Sequence, residues 1–183
     1  KNRVHEIAPC IIGGGTNTKV NANIGTSESC NNIDLEIEKI KVAEEAKADV
    51  LMDLSTGGDL DETRKIIIKN TKLPIGTVPI YQAMVEAHKQ HGDMLKVDKK
   101  IILDTIKKHC EDGVDFLTVH CGITKEVIRQ LDLQGRLTGV VSRGGSFHVK
   151  WIKETGQENP LYEYYDELLD IVKEYDVVLS LGD

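Results

Sequence analysis

Six short runs of apolar and β-branched residues recur along the chain, and each run stops at glycine or polar residues. In order they are KVNANIG from Lys19, VLMDLSTGG from Val50, IGTVPIY from Ile75, FLTVH from Phe116, LTGVVSRGG from Leu137 and VVLSLGD from Val177. Near-continuous apolarity is typical of parallel strands that are buried on both faces. The runs therefore predict a parallel sheet inside an α/β protein.

Segments with helical periodicity lie between these runs. They cover residues 35–48, 61–70, 99–112, 125–131 and 161–175. Asp34 is the expected N-cap of the first helix, and Pro160 is placed to open the last one. No linker-like tract divides the alternating strands and helices. We therefore expect one domain over residues 19–183, preceded by a lead-in segment at residues 1–18.

The spacing of the runs favours a (β/α)8 TIM barrel. The six starts fall between residues 19 and 177 at intervals of about 32 residues, so eight units would take roughly 250 residues, the usual size of such a barrel. A doubly wound sheet would instead gather its ligand residues at one switch point. Because polar or glycine residues end every run, we expect a barrel mouth, with about six of the eight βα units present.

Composition excludes several classes of function. The 23 basic and 30 acidic residues give a net charge of −7 without any basic, aromatic-rich cluster, so a nucleic-acid or anionic-membrane surface is not expected. No apolar run is long enough for a transmembrane helix.

The four cysteines are widely spaced and no signal segment precedes them, which favours reduced thiols in a cytoplasmic protein. The chain begins without methionine, so we expect it to be part of a longer protein.

Two glycine-rich stretches could bind phosphate. The run Gly13 to Gly15 precedes the first predicted strand and no G-K-[ST] sequence follows it, so a phosphate loop is not expected there. The second stretch, Ser142 to Ser146, follows an apolar run and could form an anion nest together with Arg143. A plain strand-to-helix turn is an equally good interpretation of that stretch.

Histidine and cysteine meet at one predicted strand end. His120 and Cys121 are adjacent, and adjacent strand residues point to opposite faces, so a nucleophilic Cys/His pair is not expected. His120 is either a ligand-contacting residue or a hydrogen-bonded core histidine. His88 and His91 have no third ligand at metal spacing, so they are interpreted as an exposed pair. The residues alone thus indicate a barrel segment that binds a polar small molecule.

Seven strings of the sequence carry a resemblance to a known family. They are VNANIGTS, MDLSTGG, PIGTVPIYQA, TVHCGIT, VSRGGS, ENPLYEYYDELL and YDVVLSLGD. In order and spacing they closely resemble the phosphomethylpyrimidine synthase (ThiC) family, from about Asn17 to Asp183. The resemblance implies a radical S-adenosylmethionine enzyme of thiamine biosynthesis, which converts 5-aminoimidazole ribonucleotide into 4-amino-5-hydroxymethyl-2-methylpyrimidine phosphate.

The resemblance also implies which residues contact the substrate, whereas the catalytic residues stay unknown. The substrate-binding residues would be Asn23, Met52, Tyr81, His120, Ser142, Arg143, Gly144 and Asp183. Each of their motifs falls at the end of a different predicted strand. The sequence therefore predicts that these side chains meet at one mouth.

Three cofactors follow from the resemblance, namely a 4Fe-4S cluster, S-adenosylmethionine and zinc, and family members are homodimers. The family's cluster motif, C-x2-C-x4-C, is absent from the chain, as are its two zinc-binding histidines and their neighbouring glutamate. We therefore expect no metal site within this chain and no activity from it alone. Two alternatives stay open: a 5-hydroxybenzimidazole synthase of anaerobic cobamide biosynthesis, and a non-catalytic ribonucleotide-binding barrel fragment.

Overall fold

The computed structural model describes Asn2 and residues 4–182. The strands in this part of the chain are β1 (Asn21–Ile24), β2 (Val50–Asp53), β3 (Ile75–Thr77), β4 (Phe116–Val119) and β5 (Val178–Leu181). The helices are α1 (Ile33–Glu45), α2 (Leu60–Lys69), α3 (Pro79–His91), α4 (Lys99–Asp112), α5 (Lys125–Gln134), α6 (Arg143–Thr155), α7 (Pro160–Glu163) and α8 (Tyr165–Tyr175). None of these helices combines the length and the apolar character needed to span a membrane.

The five strands form one parallel sheet in the order β1-β2-β3-β4-β5. This sheet confirms the predicted α/β class. A sequential order has no reversal point, which separates it from a doubly wound sheet. The order agrees with one side of a (β/α)8 barrel, whereas closure into eight strands stays a prediction.

The strand predicted from Leu137 is wrong. Residues 135–142 form no strand, and β5 pairs directly with β4, with Phe116 opposite Val178. The Leu137 and Val141 side chains of this stretch are exposed, so the apolar run has no buried face to contribute to a sheet. The described residues therefore form five strands where the sequence predicted six. Ser142 caps helix α6 instead of ending a strand.

Most of the helices begin at side-chain caps, whereas α3 and α8 have no side-chain N-cap hydrogen bond. Asp98 and Thr124 each accept a hydrogen bond from a backbone N–H in the first turn of α4 and α5, respectively. The predicted cap Asp34 is wrong, because Asn32 caps α1 and accepts from the Asp34 N–H. The predicted helix at 161–175 is divided into α7 and α8, and α3 and α6 were not predicted at all.

The core lies between one face of the sheet and the helices. Leu51, Ile75 and Leu117 share that face and are fully buried, together with Ile67 of α2 and Ile106 of α4. Alternate strand residues point the other way. The opposite face of the sheet carries the candidate site residues of β1 and β2.

The lead-in segment crosses the amino ends of β3 and β4. Asn2 Nδ2 donates to the carbonyl oxygens of Cys110 and Val114, at 2.8 and 3.0 Å. His5 Nδ1 lies 2.7 Å from Asp115 Oδ2, and its Nε2 lies 3.1 Å from a backbone carbonyl oxygen just before β3. Both partners are acceptors, so the imidazolium form of His5 satisfies both contacts. The start of the chain is therefore hydrogen-bonded across the amino ends of β3 and β4.

Candidate substrate-binding site

The candidate residues of β1 and β2 lie side by side. Asn23 pairs in register with Met52, and Met52 pairs with Gly76 of β3, so the three share one face of the sheet. Asn23 is exposed and Met52 is buried. A side chain at position 76 would overlap the ring of Phe116, so this ring covers the same face beside β3. Asn23 and Met52 thus form the β1–β2 part of a continuous surface.

His120 extends that surface at the end of β4. A Cβ atom added at Gly182 would lie 3.2 Å from both the Thr118 methyl carbon and the His120 ring, so these two side chains point to the same side. His120 is only 3% exposed. The fully buried Asn159 holds the backbone here, because its Nδ2 donates to the carbonyl oxygens of His120 (2.8 Å) and Ile123 (2.9 Å). The strand end and the following loop are therefore fixed in position.

Helix α6 begins directly against the His120 ring. A Cβ atom at Gly144 would overlap the ring carbon Cε1 and approach both ring nitrogens. Any larger residue at position 144 would push either His120 or the helix away. The glycine is therefore required by a close approach between the backbone of α6 and His120.

Tyr81 lies in the first turn of α3, since β3 ends at Thr77, and not at a strand end as predicted. The guanidinium of Arg143 lies 4.9 Å from the centre of its ring, within the range of a cation–π contact. Burial raises the pKa of Tyr81, and the positive charge of Arg143 and the nearby backbone N–H of Gly144 oppose the rise. Tyr81 thus connects α3 to the start of α6.

The segment from Ser142 to Ser146 is the cap and first turn of a helix. Ser142 Oγ accepts from the Gly145 N–H at 3.0 Å, and its carbonyl oxygen accepts from the Ser146 N–H at 2.9 Å. An arriving phosphate would therefore meet the exposed Arg143 side chain first and compete with internal acceptors for the amides of the helix.

His148 is a site residue that the sequence did not predict. It follows Gly144 by one helical turn on α6, and its ring centre lies 6.1 Å from that of His120, with the planes inclined by 40°. Only 1% of His148 is exposed, and neither ring nitrogen has a hydrogen-bond partner among the described residues. Burial, and then the nearby His120, lower the pKa of His148 to about 3. The ring is therefore neutral at physiological pH.

The structure thus brings together part of the predicted set. Tyr81, His120, Arg143, Gly144 and the newly found His148 form one contact group, which we call the His120 cluster. Ser142 caps the helix that carries three of its members. Asn23 and Met52 lie on the neighbouring strands β1 and β2 of the same sheet. Asp183 lies outside the described residues.

The donor atoms of the described residues do not fit a metal cluster. Across Asn2 and residues 4–182, no three His, Cys, Asp or Glu side chains converge in a way that could hold a metal ion. Burial raises the pKa of Cys110 to about 12 and that of Cys121 to about 11, so both are protonated thiols instead of thiolate ligands. No step of chemistry is therefore assigned to iron or zinc in this segment.

The chain belongs to the radical SAM ThiC family, whose sequence model matches residues 1–183. It is 52% identical over 179 residues to a phosphomethylpyrimidine synthase of Moorella thermoacetica, covering 98% of this chain and 41% of the relative. A phosphomethylpyrimidine synthase of Dehalococcoides mccartyi is 54% identical over 95% of this chain and 40% of its own length. Phosphomethylpyrimidine synthase 2 of Methanosphaera stadtmanae is 51% identical over 99% of this chain and 42% of its own length. The chain therefore spans about two fifths of these curated relatives.

Proposed function

We propose that the full-length protein is a radical S-adenosylmethionine phosphomethylpyrimidine synthase, and that this segment binds 5-aminoimidazole ribonucleotide. The observation that carries the proposal is the convergence of Tyr81, His120, Arg143 and Gly144, from three separate elements, beside the carboxyl end of β4. Ligand sites of parallel α/β folds lie at the carboxyl ends of the strands. The names of the three relatives support the reaction.

Arg143 is suited to the phosphate of the ribonucleotide. Its side chain is exposed, and no carboxylate within the described part of the chain forms an ion pair with it. A guanidinium can donate two parallel hydrogen bonds to a phosphate. The positive end of the α6 dipole adds a smaller attraction for the anion. Phosphate binding would therefore require only that the Arg143 side chain rotate away from the Tyr81 ring.

His120 is suited to a polar group of the nucleoside part. The tight contact with Gly144 fixes its ring, so a hydrogen bond from the ring to a bound ligand costs little ordering entropy. Asn23 and Met52 extend the same surface toward β1 and would contact the rest of the ligand. In this proposal the segment binds and orients the ribonucleotide. S-adenosylmethionine would supply the radical from a site elsewhere in the protein.

The remaining parts of the proposal concern the whole protein. The 4Fe-4S cluster and zinc would be bound by residues beyond position 183, in a cytoplasmic homodimer with a closed (β/α)8 barrel. The test is product analysis of the full-length enzyme, reconstituted with iron and sulfide and incubated anaerobically with S-adenosylmethionine, reductant and 5-aminoimidazole ribonucleotide. Mass spectrometry should detect the pyrimidine phosphate, whereas 5-hydroxybenzimidazole would assign the cobamide reaction instead. Binding without any product would support the non-catalytic alternative.

A matched pair of arginine variants tests the role of this segment. Arg143→Met should weaken ribonucleotide binding to the full-length enzyme by about tenfold, which is about 1.4 kcal/mol, because it removes the phosphate donor. Arg129→Met is the control, since Arg129 is exposed on α5 and pairs with Glu126. Isothermal titration calorimetry gives both affinities. Equal affinities for the two variants would refute the assignment of Arg143.

A further inference from the structure

A buried polar network lies under the first turn of α3. Its centre is Arg64 of α2, which is 2% exposed. Arg64 Nε and Nη2 donate to Asp112 Oδ2 at 3.0 and 2.6 Å, and Nη2 also donates to Asp61 Oδ1 at 2.8 Å. Its Nη1 donates to Gln82 Oε1 at 2.7 Å. One guanidinium therefore joins α2 to both α3 and α4.

The carboxamide of Gln82 is held at both of its polar atoms. Its Oε1 also accepts from His109 Nε2 at 2.9 Å, and its Nε2 donates to Asp61 Oδ1 at 2.7 Å. His109 Nε2 also lies 3.1 Å from Arg64 Nη1, and His109 Nδ1 lies 2.8 Å from the Thr77 hydroxyl. Burial, and then the charge of Arg64, hold the pKa of His109 well below its usual range. His109 is therefore a neutral member of the network.

Stability alone gives no reason for such a network. Buried ion pairs are often no more stable than apolar side chains of the same volume, although removing one partner is costly. What the network does fix is the position of a short stretch of backbone. Helix α3 has no side-chain N-cap hydrogen bond at Val78, so its first turn lacks the usual anchor. Gln82 lies in that turn, and its hydrogen bonds to Arg64, Asp61 and His109 hold the turn in place.

Tyr81 directly precedes Gln82 and lies over the same network. Its side chain, together with Asp53, Arg64, Gln82 and His109, lines a cavity of ≈ 10 Å³, about the volume of one water molecule. On its other side the ring contacts the guanidinium of Arg143, 4.9 Å from the ring centre, in the first turn of α6. The tyrosine is therefore held between the network and the start of α6.

We propose that Gln82 is a positioning residue for Tyr81, and that the contacts of Gln82 with Arg64, Asp61 and His109 set the affinity of the His120 cluster for the ribonucleotide. This inference rests on the proposed function of that cluster. Gln82 acts through the backbone of the first turn of α3. It would not touch the ligand itself.

The test compares variants of the full-length enzyme in calorimetric titrations with 5-aminoimidazole ribonucleotide. Gln82→Met keeps the shape of the side chain and removes its three hydrogen bonds, so affinity should fall about tenfold. Gln90→Met, on the exposed last turn of the same helix, should leave affinity unchanged. Asp61→Asn keeps the acceptor for Gln82 and removes the charge, so it should lower the unfolding temperature while affinity stays within about twofold.

A double-mutant cycle separates positioning from a general loss of structure. In a Tyr81→Ala background, Gln82→Met should cause no further loss of affinity, because the residue that it positions is already absent. An additive loss, or unchanged affinity in the single variant, would overturn the inference. If Gln82→Met does not fold, Thr77→Val can replace it, because this variant removes the hydroxyl that contacts His109. Ribonucleotide affinity should then fall about threefold, and only when Tyr81 is present. A wild-type enzyme that does not bind the ribonucleotide would refute the proposed function first.

Discussion

At the amino end of the sheet, most buried polar side chains are hydrogen-bonded to the backbone, whereas at the carboxyl end three buried polar atoms have no hydrogen-bond partner among the described residues. Asn2 and His5 bond to carbonyl oxygens of other segments, and His5 also pairs with Asp115. Asp115 Oδ2 additionally accepts from a backbone N–H of β3, although its Oδ1 has no partner within the described part of the chain. At the other end, Thr118 Oγ1 and both ring nitrogens of His148 have no hydrogen-bond partner among the described residues.

Under the proposed function, the difference separates an end of the sheet that stabilises the fold from an end that binds the ligand. An unsatisfied buried polar group costs about 1–3 kcal/mol, so a protein retains several of them only where another requirement outweighs stability. In barrels built from βα units, the amino end is associated with stability and the carboxyl end with ligand binding. Substitutions at the two ends should therefore have opposite effects on unfolding and on ribonucleotide affinity.

The largest effect is expected at the amino end. His5→Ala leaves the buried Asp115 carboxylate without its hydrogen bond to the imidazole, so the full-length protein should lose about 3 kcal/mol of stability. Ribonucleotide affinity at low temperature should not change, because His5 lies at the other end of the sheet. Urea unfolding and calorimetry give the two values, with His88→Ala on the exposed side of α3 as the control. A loss of affinity at constant stability would remove the distinction between the ends.

Gly144→Val should have the converse effect. The added side chain overlaps the His120 ring, so we expect at least a hundredfold loss of ribonucleotide affinity, about 2.7 kcal/mol, with a smaller loss of stability. Gly14→Val is the matched control, because a side chain at Gly14 meets open space. Unchanged affinity in Gly144→Val would show that the His120 cluster does not bind the ligand.

The amino-acid pattern predicted the five strands of the sheet but added a sixth, at Leu137, that does not form. The run Val50–Asp53 is buried on both faces and Phe116–Val119 on one face with the other half-buried, and their apolar character is visible in the sequence. The run at Leu137 has the same composition but is exposed, and burial depends on tertiary neighbours that a single segment does not reveal. Helix α6 was missed because Gly144 and Gly145 are poor helix formers, although Ser142 is a good N-cap.

The candidate site was predictable only where a motif marked it. Tyr81, His120 and Arg143 belong to recognisable strings, and the structure brings them together. His148 and Gln82 have no such mark. Their contacts join elements distant in sequence, and His148 lies on a helix whose existence was not predicted.

His120→Ala should produce a smaller effect than Gly144→Val, since it removes one contact without displacing the helix. Ribonucleotide affinity or turnover of the full-length enzyme should fall by about tenfold, or about 1.4 kcal/mol, while iron and zinc content stay constant. Metal analysis and steady-state kinetics on the same preparation check both statements. Loss of zinc with retained ligand binding would make His120 a metal ligand, and loss of folding would make it a packing residue.

The smallest effect is expected for His148→Leu, and its sign is opposite to that of the other substitutions. The leucine fills the buried position without leaving two ring nitrogens unpaired, so the full-length protein should gain about 1 kcal/mol of stability at pH 7. The gain should increase in acid. The pKa of His148 is about 3 in the folded state and near 6.5 in the unfolded state, so below pH 6.5 the unfolded chain binds the proton first and the wild type loses stability.

Between pH 6.5 and pH 5.5 the advantage of the leucine variant should therefore grow by about 1 kcal/mol. Titrating groups that lie away from His148 cancel in the difference between the two proteins, so urea unfolding across this range reports on the His148 position. Weaker ribonucleotide binding in the stabilised variant would show that His148 contributes to ligand binding at a cost in folding stability. Unchanged binding would restrict the proposed ligand contacts at this end to Tyr81, His120, Arg143 and Gly144. A loss of stability would instead show that the two ring nitrogens of His148 are hydrogen-bonded in the folded protein.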